Sequence, residues 1–302
     1  MMEYVELGDM SNMRYGFAKD FKHDQNLRRS FNQLTEATFG FSLEDWYQEG
    51  LWGDYYIPYS LLHRGQVISN VSINRIEFDI ENERKVGIQI GTVMTDEKYR
   101  HRGLNRFIME QVMNEWKDHA DFIYLFANDT VLDFYPKFNF QIIEEYQHAK
   151  TIGTQSASTS WKKLNMEDQT DQALLTKMVK ESVPISQISM RNNASLIMFY
   201  CNSYKKNSVF YVEELNAITI ADFEGDTLYL DDVFSTKPLD INDVIQAMTD
   251  ESIAQVVLGF TPLDESGFDK HLLKGTDTLF MLKDTLGLFT NKHWMFPVLS
   301  HA

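Results

Sequence analysis

Apolar positions in the first half of the chain change their period from two residues to that of a helix. Alternation in Gln66–Ile80, flanked by the strand-like runs Tyr55–Leu62 and Lys85–Thr95, predicts a three-stranded antiparallel meander. Helical spacing follows at Leu104–Trp116, and the apolar run Asp121–Phe126 predicts a buried strand. The other elements predicted for this half are a strand at Met2–Leu7, helical pieces within 10–50, a short helix at Thr130–Tyr135 and a closing strand at Phe138–Tyr146.

The same order of elements returns after residue 160. It predicts helices at Met166–Glu181 and Ser195–Tyr204, strands at Ser208–Glu213, Ala217–Phe223 and Thr227–Phe234, a helix at Ile241–Met248 and a buried strand at Val256–Phe260. We interpret this order as an internal duplication at the level of the fold. The polar stretch Lys150–Ser160 is an interdomain linker or a hairpin arm. We favour the linker, which gives domains 1–150 and 160–302.

Composition agrees with two folded domains. The chain has 302 residues, of which 43% are hydrophobic and 13% aromatic, enough to bury real cores. The single cysteine, Cys201, excludes an intramolecular disulfide and a multi-thiolate metal site. No apolar run reaches the roughly 18 residues of a membrane span, and the first residues do not resemble a signal peptide. We therefore expect a cytoplasmic protein that does not enter a membrane.

The net charge of −16 narrows the range of partners. An acidic surface argues against nonspecific binding of nucleic acid, which needs a basic one. It favours a cationic partner, although solubility alone also explains it. No G-x-G, P-loop or G-x-S-x-G pattern occurs, and the eight histidines are scattered along the chain. We predict no metal and no nucleotide triphosphate.

The segment Thr92–Val112 carries the richest chemistry. A strand ends there, and Arg100-His101-Arg102-Gly103-Leu104-Asn105 leads directly into an amphipathic helix. Free amides at a helix N-terminus bind phosphate oxygens, and a glycine lets the backbone approach the ligand. Arg100, Arg102 and Arg106 add positive charge. The segment is either an anion-binding loop or a basic loop that only caps a helix.

These residues resemble motif A of the GNAT superfamily of acyl-CoA N-acyltransferases, in which Arg/Gln-x-x-Gly-x-Gly/Ala opens a helix. Asn105 stands at the position where Gly or Ala is usual. A second resemblance follows, in which Asn128, Tyr135 and Phe138-Asn139-Phe140 match the family's Asn-x-x-Ala-x-x-x-Tyr and Tyr-x-x-x-Gly-Phe patterns, with Val131 replacing Ala and Asn139 replacing Gly. The resemblance covers about half the chain. It implies a mixed, mostly antiparallel sheet with flanking helices, repeated as a degenerate GNAT-like second domain.

The resemblance also implies acetyl-CoA as cosubstrate. Its pyrophosphate is expected on the amides of Arg102 to Asn105, and its pantetheine arm beside Val93 to Thr95 as an added strand. Asn105 could narrow the loop at a cost in affinity. The residues expected to bind the cosubstrate are Val93, Met94, Thr95, Arg100, His101, Arg102, Gly103, Leu104, Asn105 and Asn128.

Catalysis by such a domain needs an acid for the departing thiolate and a base for the amine. Tyr135 matches the family's general acid, with an ordinary pKa of about 10. A core aromatic is the alternative reading of that residue. The backbone N–H near Met94 could stabilise the oxyanion. Glu77 or Asp79 could act as a base through water, but a polar strand face explains both equally well, and the base stays unassigned.

The predicted function is an N-acetyltransferase that acts on a primary amine, with a cationic acceptor favoured. The alternative is a catalytically silent CoA-binding or scaffolding protein. After its meander the second half has Ser235–Asp240 and no Arg-x-x-Gly. It therefore supports the fold, forms a wall of the acceptor cleft or holds a homodimer.

Overall fold

The computed structural model describes residues 3–6, 13–153, 161–275, 277–282, 287 and 289–301. These residues form two β-sheets with helices packed against them. The fold is mixed α/β with mostly antiparallel strands, which confirms the predicted fold class. No helix in these ranges is long and apolar enough to cross a membrane.

Nine described strands form the first sheet. They are β1 (Glu3–Glu6), β2 (Arg14–Lys19), β3 (Tyr56–His63), β4 (Gln66–Ile80), β5 (Glu83–Thr95), β6 (Phe122–Asn128), β7 (Phe140–Ile142), β10 (Ile188–Arg191) and β16 (Asp277–Leu282). The spatial order is β1-β2-β3-β4-β5-β6-β16-β7, and β10 pairs with the end of β4. The predicted meander is confirmed as β3 to β5, and β6 pairs in parallel with β5.

The helices of the first half lie on opposite faces of this sheet. They are α1 (Gln25–Phe39), α2 (Glu44–Gln48) and α3 (Leu104–Trp116). Alternation along β6 sends Ile123 and Leu125 toward α3, whereas Phe122 and Tyr124 pack on the other face. On that other face, α1 buries Phe31 against the strands. The sheet therefore separates an α3 side from an α1 side.

Seven described strands form the second sheet. They are β8 (Tyr146–Thr151), β9 (Trp161–Lys163), β11 (Val209–Val212), β12 (Ala217–Glu224), β13 (Thr227–Ser235), β14 (Gln255–Leu258) and β15 (Asp269–Leu272), in the order β15-β8-β14-β13-β12-β11-β9. Its helices are α4 (Gln169–Glu181), α5 (Ala194–Asn202) and α6 (Ile241–Met248). A meander, a helix and a strand parallel to the last meander strand follow in turn, as in the first half.

Several sequence-based boundaries are wrong. Arg14–Lys19 is a strand paired with β3, where helical pieces were predicted. The predicted strand Phe138–Tyr146 is divided between the two sheets, and the predicted helix Thr130–Tyr135 is replaced by two short 3-10 turns. The linker prediction fails at its start, because Lys150 pairs with Val256 inside the second sheet. Residues 154–160 of that linker, and Met2 and Leu7 of the predicted first strand, lie outside the described residues.

The two halves exchange strands. Late in the chain, β16 inserts between β6 and β7 of the first sheet, and Phe280 on β16 is fully buried in the first core. In the opposite direction, β8 from the first half pairs with β14 and β15. Lys150 and Thr151, at the start of the predicted linker, therefore lie within the second sheet.

Candidate active site

A cleft opens where β5 and β6 diverge. The two strands pair only where Gly87 to Ile90 face Phe122 to Leu125, and beyond that point they separate. The resulting cleft has a volume of about 680 Å³ and is lined by Val93, Asn105, Asn128 and Tyr135, among others. The structure thus brings four residues from the sequence-predicted site to one cavity.

A β-bulge shapes the β5 side of this cleft. The β4–β5 register shifts between Asn70 and Ser72, and Thr92 opposite the shift has a φ of 48°. The side-chain amide of Asn70 donates to the Thr92 carbonyl at 2.9 Å. The bulge places Val93 at the cleft, while the Met94 side chain turns into the α1 core. A bulge beside a ligand site commonly re-aims the strand in this way.

The predicted phosphate loop has left-handed backbone at two positions, His101 at φ 63° and Gly103 at φ 75°. Helix α3 begins after Gly103, which provides no side-chain cap, and Leu104 is buried beneath the loop. The first amides of α3 therefore remain available to an anion. The equivalent end of α6 differs, because the carboxylate of Asp240 accepts a hydrogen bond from the amide of Asn242 at 2.8 Å.

The three arginines near this loop are not equivalent. Arg100 lies 3.5 Å from a carboxylate oxygen of Glu97, and Arg106 lies 3.0 Å from one of Glu110. Arg102 donates to the Lys98 carbonyl at 3.0 Å and makes no ion pair within the part of the chain that the structure describes. Its guanidinium is thus the loop charge best placed to meet an anionic ligand.

The side chain of Asn105 points toward the strands and lines the cleft. Its Oδ1 accepts a hydrogen bond from the Ser69 hydroxyl at 2.5 Å, and that hydroxyl also lies 3.0 Å from Oγ1 of Thr95. Asn105 therefore links α3 to the ends of β4 and β5. This contact holds the Asn105 side chain at the strand ends, whereas a side chain that narrows the loop is the expectation from the sequence.

Tyr135 is buried in the first core and also lines the cleft. Only 5% of the residue is exposed, and its ring contacts Phe280 with centroids 5.6 Å apart. Burial raises the pKa of the Tyr135 phenol to about 12, so the expected ordinary value near 10 is wrong. Nearby, Oδ1 of Asn128 accepts hydrogen bonds from Thr130 and caps the turn that leads toward Tyr135.

Neither carboxylate considered as a base lines this cleft. Glu77 pairs with Arg75 at 3.1 Å, and Asp79 pairs with Arg191 of β10 at 2.8 Å. Both carboxylates are engaged in ion pairs. We therefore assign neither a role in catalysis.

The cleft residues that sequence reasoning missed include two from the last part of the chain. Asp277 of β16 and His301 both line the cavity that holds Tyr135. The imidazole of His301 stacks on the ring of Phe126, with centroids 3.4 Å apart and an interplanar angle of 22°. No local motif surrounds either residue. The residues before His301 are mostly apolar, which is typical of a packed segment, but this pattern does not indicate the partner.

Among the described residues, no group of three His, Cys, Asp or Glu side chains is arranged to hold a metal ion.

The comparison with protein families matches only the first half of the chain. Residues 22–143 match the family model described as "Acetyltransferase (GNAT) domain". A comparison with curated proteins gives no match.

Solved structures resemble almost the whole chain. A probable N-acyltransferase from Enterococcus faecalis V583 is 13% identical, with 90% of this chain and 74% of that chain covered and a TM-score of 0.57. A GCN5-related N-acetyltransferase from Kribbella flavida is 13% identical, with 88% and 70% covered and a TM-score of 0.56. Eis1 from Mycobacterium abscessus is 12% identical, with 92% and 73% covered and a TM-score of 0.54. The likeness in fold extends beyond the matched domain, and residues 22–143 are the part of the chain that matches a GNAT acetyltransferase domain.

Proposed function

We propose that this chain transfers an acetyl group from acetyl-CoA to a primary amine. The proposal rests on one observation, namely that the uncapped N-terminus of α3 adjoins the cleft between the diverging strands. The amides of Arg102 to Asn105 bind the pyrophosphate, with Arg100 and His101 completing the loop. The pantetheine arm lies along Val93, Met94 and Thr95 as an added strand and passes Asn128 toward Tyr135.

The reaction requires two proton movements. The amine nitrogen attacks the thioester carbon, and the oxyanion that forms is stabilised by the N–H near Met94. The carbon–sulfur bond then breaks, and the Tyr135 phenol donates its proton to the departing thiolate. The amine nitrogen loses its proton to solvent or to a base that we do not assign. The products are the N-acetylated amine and CoA.

A cationic acceptor suits the charges around the cleft. Two carboxylates, Asp133 and Asp277, line it, and both residues are exposed. The net charge of −16 raises the local concentration of a cationic amine, an effect that salt weakens.

The second half is proposed to be a GNAT-like accessory unit that binds no CoA. Its repeated order of meander, helix and parallel strand supports a common origin. Asp240 brings a negative charge to the start of α6, where a phosphate would otherwise bind. The unit supports the first domain by contributing strands β10 and β16 to its sheet.

Two measurements test the proposal. Titration calorimetry should give one CoA per chain, and two equivalent sites would contradict the assignment of the second half. Release of the CoA thiol should rise when amines are added to enzyme and acetyl-CoA. Tight CoA binding without release for any amine in a broad panel would favour the catalytically silent protein.

A further inference from the structure

His301 lies on the side of the sheet that is available to an acceptor. Phe126, on which it stacks, belongs with Phe122 and Tyr124 to the β6 face opposite α3. The uncapped amides of α3 approach the cleft from the other side. An acyl donor whose phosphates lie at α3 therefore reaches Tyr135 from the α3 face of the sheet. His301 borders the cleft on the opposite face.

The backbone that carries His301 is held firmly. The Val298 amide donates to the Gly259 carbonyl at 2.8 Å, and the Tyr124 hydroxyl donates to the Ser300 carbonyl at 3.3 Å. Between them, Leu299 is only 1% exposed in the core of the second half. The imidazole therefore belongs to a segment that these hydrogen bonds hold in place.

The chemistry of the imidazole suits an amine. Burial lowers the pKa of His301 to about 3, so the ring is neutral and keeps one nitrogen as a hydrogen-bond acceptor. Its Nε2 is buried without a hydrogen-bond partner among the described residues. An unpartnered buried polar atom is costly, and a ligand N–H that reaches the ring would remove part of that cost.

The charged side chains of the cleft suit this task less well. Lys137 has no acceptor, and Asp133 and Asp277 are exposed at the cleft, where water competes for their oxygens. An attacking amine must direct its lone pair at the thioester carbon, so its N–H groups need an acceptor on the opposite side. His301 is a neutral acceptor held against an aromatic ring.

We propose that His301 binds the acceptor amine, accepting an N–H hydrogen bond that orients the nitrogen for attack. The proposal rests on the proposed acetyltransferase function and extends it, because it assigns part of the acceptor site to a residue outside the family-matched domain. It also favours an amine with an apolar body, since Phe39, Phe41 and Phe126 line the same cleft.

The test uses the full chain and 2-phenylethylamine as the acceptor probe. His301→Phe keeps a ring on Phe126 and removes both nitrogens, and His301→Gln restores an acceptor oxygen. We expect His301→Phe to raise the KM for the amine about tenfold, the size of one lost hydrogen bond, while the Kd for CoA stays unchanged and the Tm does not fall. His301→Gln should recover part of the loss. The exposed His271 of β15 supplies a matched control, and His271→Phe should leave every parameter unchanged.

A second readout does not depend on turnover. In protein labelled with ¹⁵N-histidine and saturated with CoA, addition of 2-phenylethylamine should shift the ring-nitrogen signals that are missing from His301→Phe. A normal amine KM in His301→Phe, or no shift of those signals, overturns the proposal. CoA binding without transfer to any amine by the unaltered enzyme instead overturns the proposed function, on which this role depends.

Discussion

The hydroxyl of Tyr56 lies 2.7 Å from Oγ1 of Thr92, the residue at the centre of the bulge in β5. Thr92 has a φ of 48°, a left-handed conformation that costs a β-branched residue on the order of 1–3 kcal/mol. Tyr56 is almost completely buried, so its hydroxyl supports this conformation from within the protein. The contact links the core beneath α1 to the strand segment that is proposed to bind pantetheine.

Tyr56→Phe should therefore affect both stability and ligand binding. Loss of one buried hydrogen bond is expected to lower the free energy of unfolding by about 1 kcal/mol and to weaken acetyl-CoA binding several-fold. Thermal unfolding and titration calorimetry measure the two effects. The exposed neighbour Tyr55 provides a control, because Tyr55→Phe removes a hydroxyl at the surface. An unchanged acetyl-CoA affinity in Tyr56→Phe would show that this contact does not shape the donor site.

Asn105→Ala distinguishes two roles for the asparagine. If its side chain narrowed the phosphate loop, alanine would strengthen acetyl-CoA binding. Because Asn105 instead accepts from Ser69 and links α3 to the strands, we expect acetyl-CoA binding to weaken by a few-fold. Asn114→Ala, at an exposed position of the same helix, should leave the Kd unchanged. A tighter complex of Asn105→Ala with acetyl-CoA would contradict the linking role.

Gly103→Val should abolish CoA binding through the backbone. Gly103 has a φ of 75°, and no atom lies within 4 Å of the position that a Cβ would occupy, so the cost is conformational strain rather than a clash. The matched control is Gly65→Val in the β3–β4 turn, where φ is 77° and the space is equally open. Both variants should lose comparable stability, and only Gly103→Val should lose CoA binding in calorimetry. Equal retention of CoA by both variants would argue against the loop as the phosphate site.

Glu145 makes stability depend on pH. Its carboxylate oxygen accepts a hydrogen bond from the Phe296 amide at 2.9 Å, and burial raises its pKa from 4.5 to about 7. The folded state therefore binds the proton more tightly than the unfolded chain does. This contribution is complete below the unfolded pKa and is lost as pH rises through the folded one.

Glu145→Gln mimics the protonated side chain and keeps an oxygen for Phe296. At pH 8 it should be more stable than the unaltered protein by roughly 3 kcal/mol, a difference that shrinks toward zero at pH 4. Denaturant unfolding at both pH values measures this difference. The exposed neighbour Glu144 supplies the control, and Glu144→Gln should show no such dependence. A constant difference across pH would exclude the titration of Glu145.

The sequence predicted the parts of the fold that depend on local patterns. Alternation in Gln66–Ile80 and helical spacing in Leu104–Trp116 correspond to β4 and α3, with the same bounds. By contrast, the edge strand Asp269–Leu272 is exposed at every position and carries no apolar period. The partners of Asp277–Leu282 are set by pairing with strands far away in the chain, which periodicity cannot reveal.

The candidate site likewise contains residues that the sequence predicted and residues that it did not. Residues on contiguous motifs, such as Asn105 and Tyr135, were predicted and lie at one cleft. His301 reaches that cleft only because its segment packs against Tyr124 and Gly259. No spacing rule within the sequence could connect His301 to Phe126.

Tyr135→Phe tests the acid role directly. Because burial raises the pKa of Tyr135 to about 12, the phenol stays protonated at every working pH and can donate to the thiolate. Removing that proton should lower kcat by about 10²–10⁴-fold, the usual contribution of a general acid, with CoA affinity nearly unchanged. The rate is measured as release of the CoA thiol under conditions where chemistry limits turnover.

The control for Tyr135→Phe is Tyr59→Phe, another buried tyrosine of the same core. The Tyr59 hydroxyl accepts a hydrogen bond from the Trp116 indole at 2.8 Å, and Tyr59 does not line the cleft. Tyr59→Phe should lower the free energy of unfolding and leave kcat close to that of the unaltered enzyme. If Tyr135→Phe behaves like Tyr59→Phe, Tyr135 is a core aromatic and the thiolate takes its proton from elsewhere. A large fall in kcat confined to Tyr135→Phe, with no change in the Kd for CoA, would establish the phenol as the acid, since ring packing is nearly the same in both substitutions.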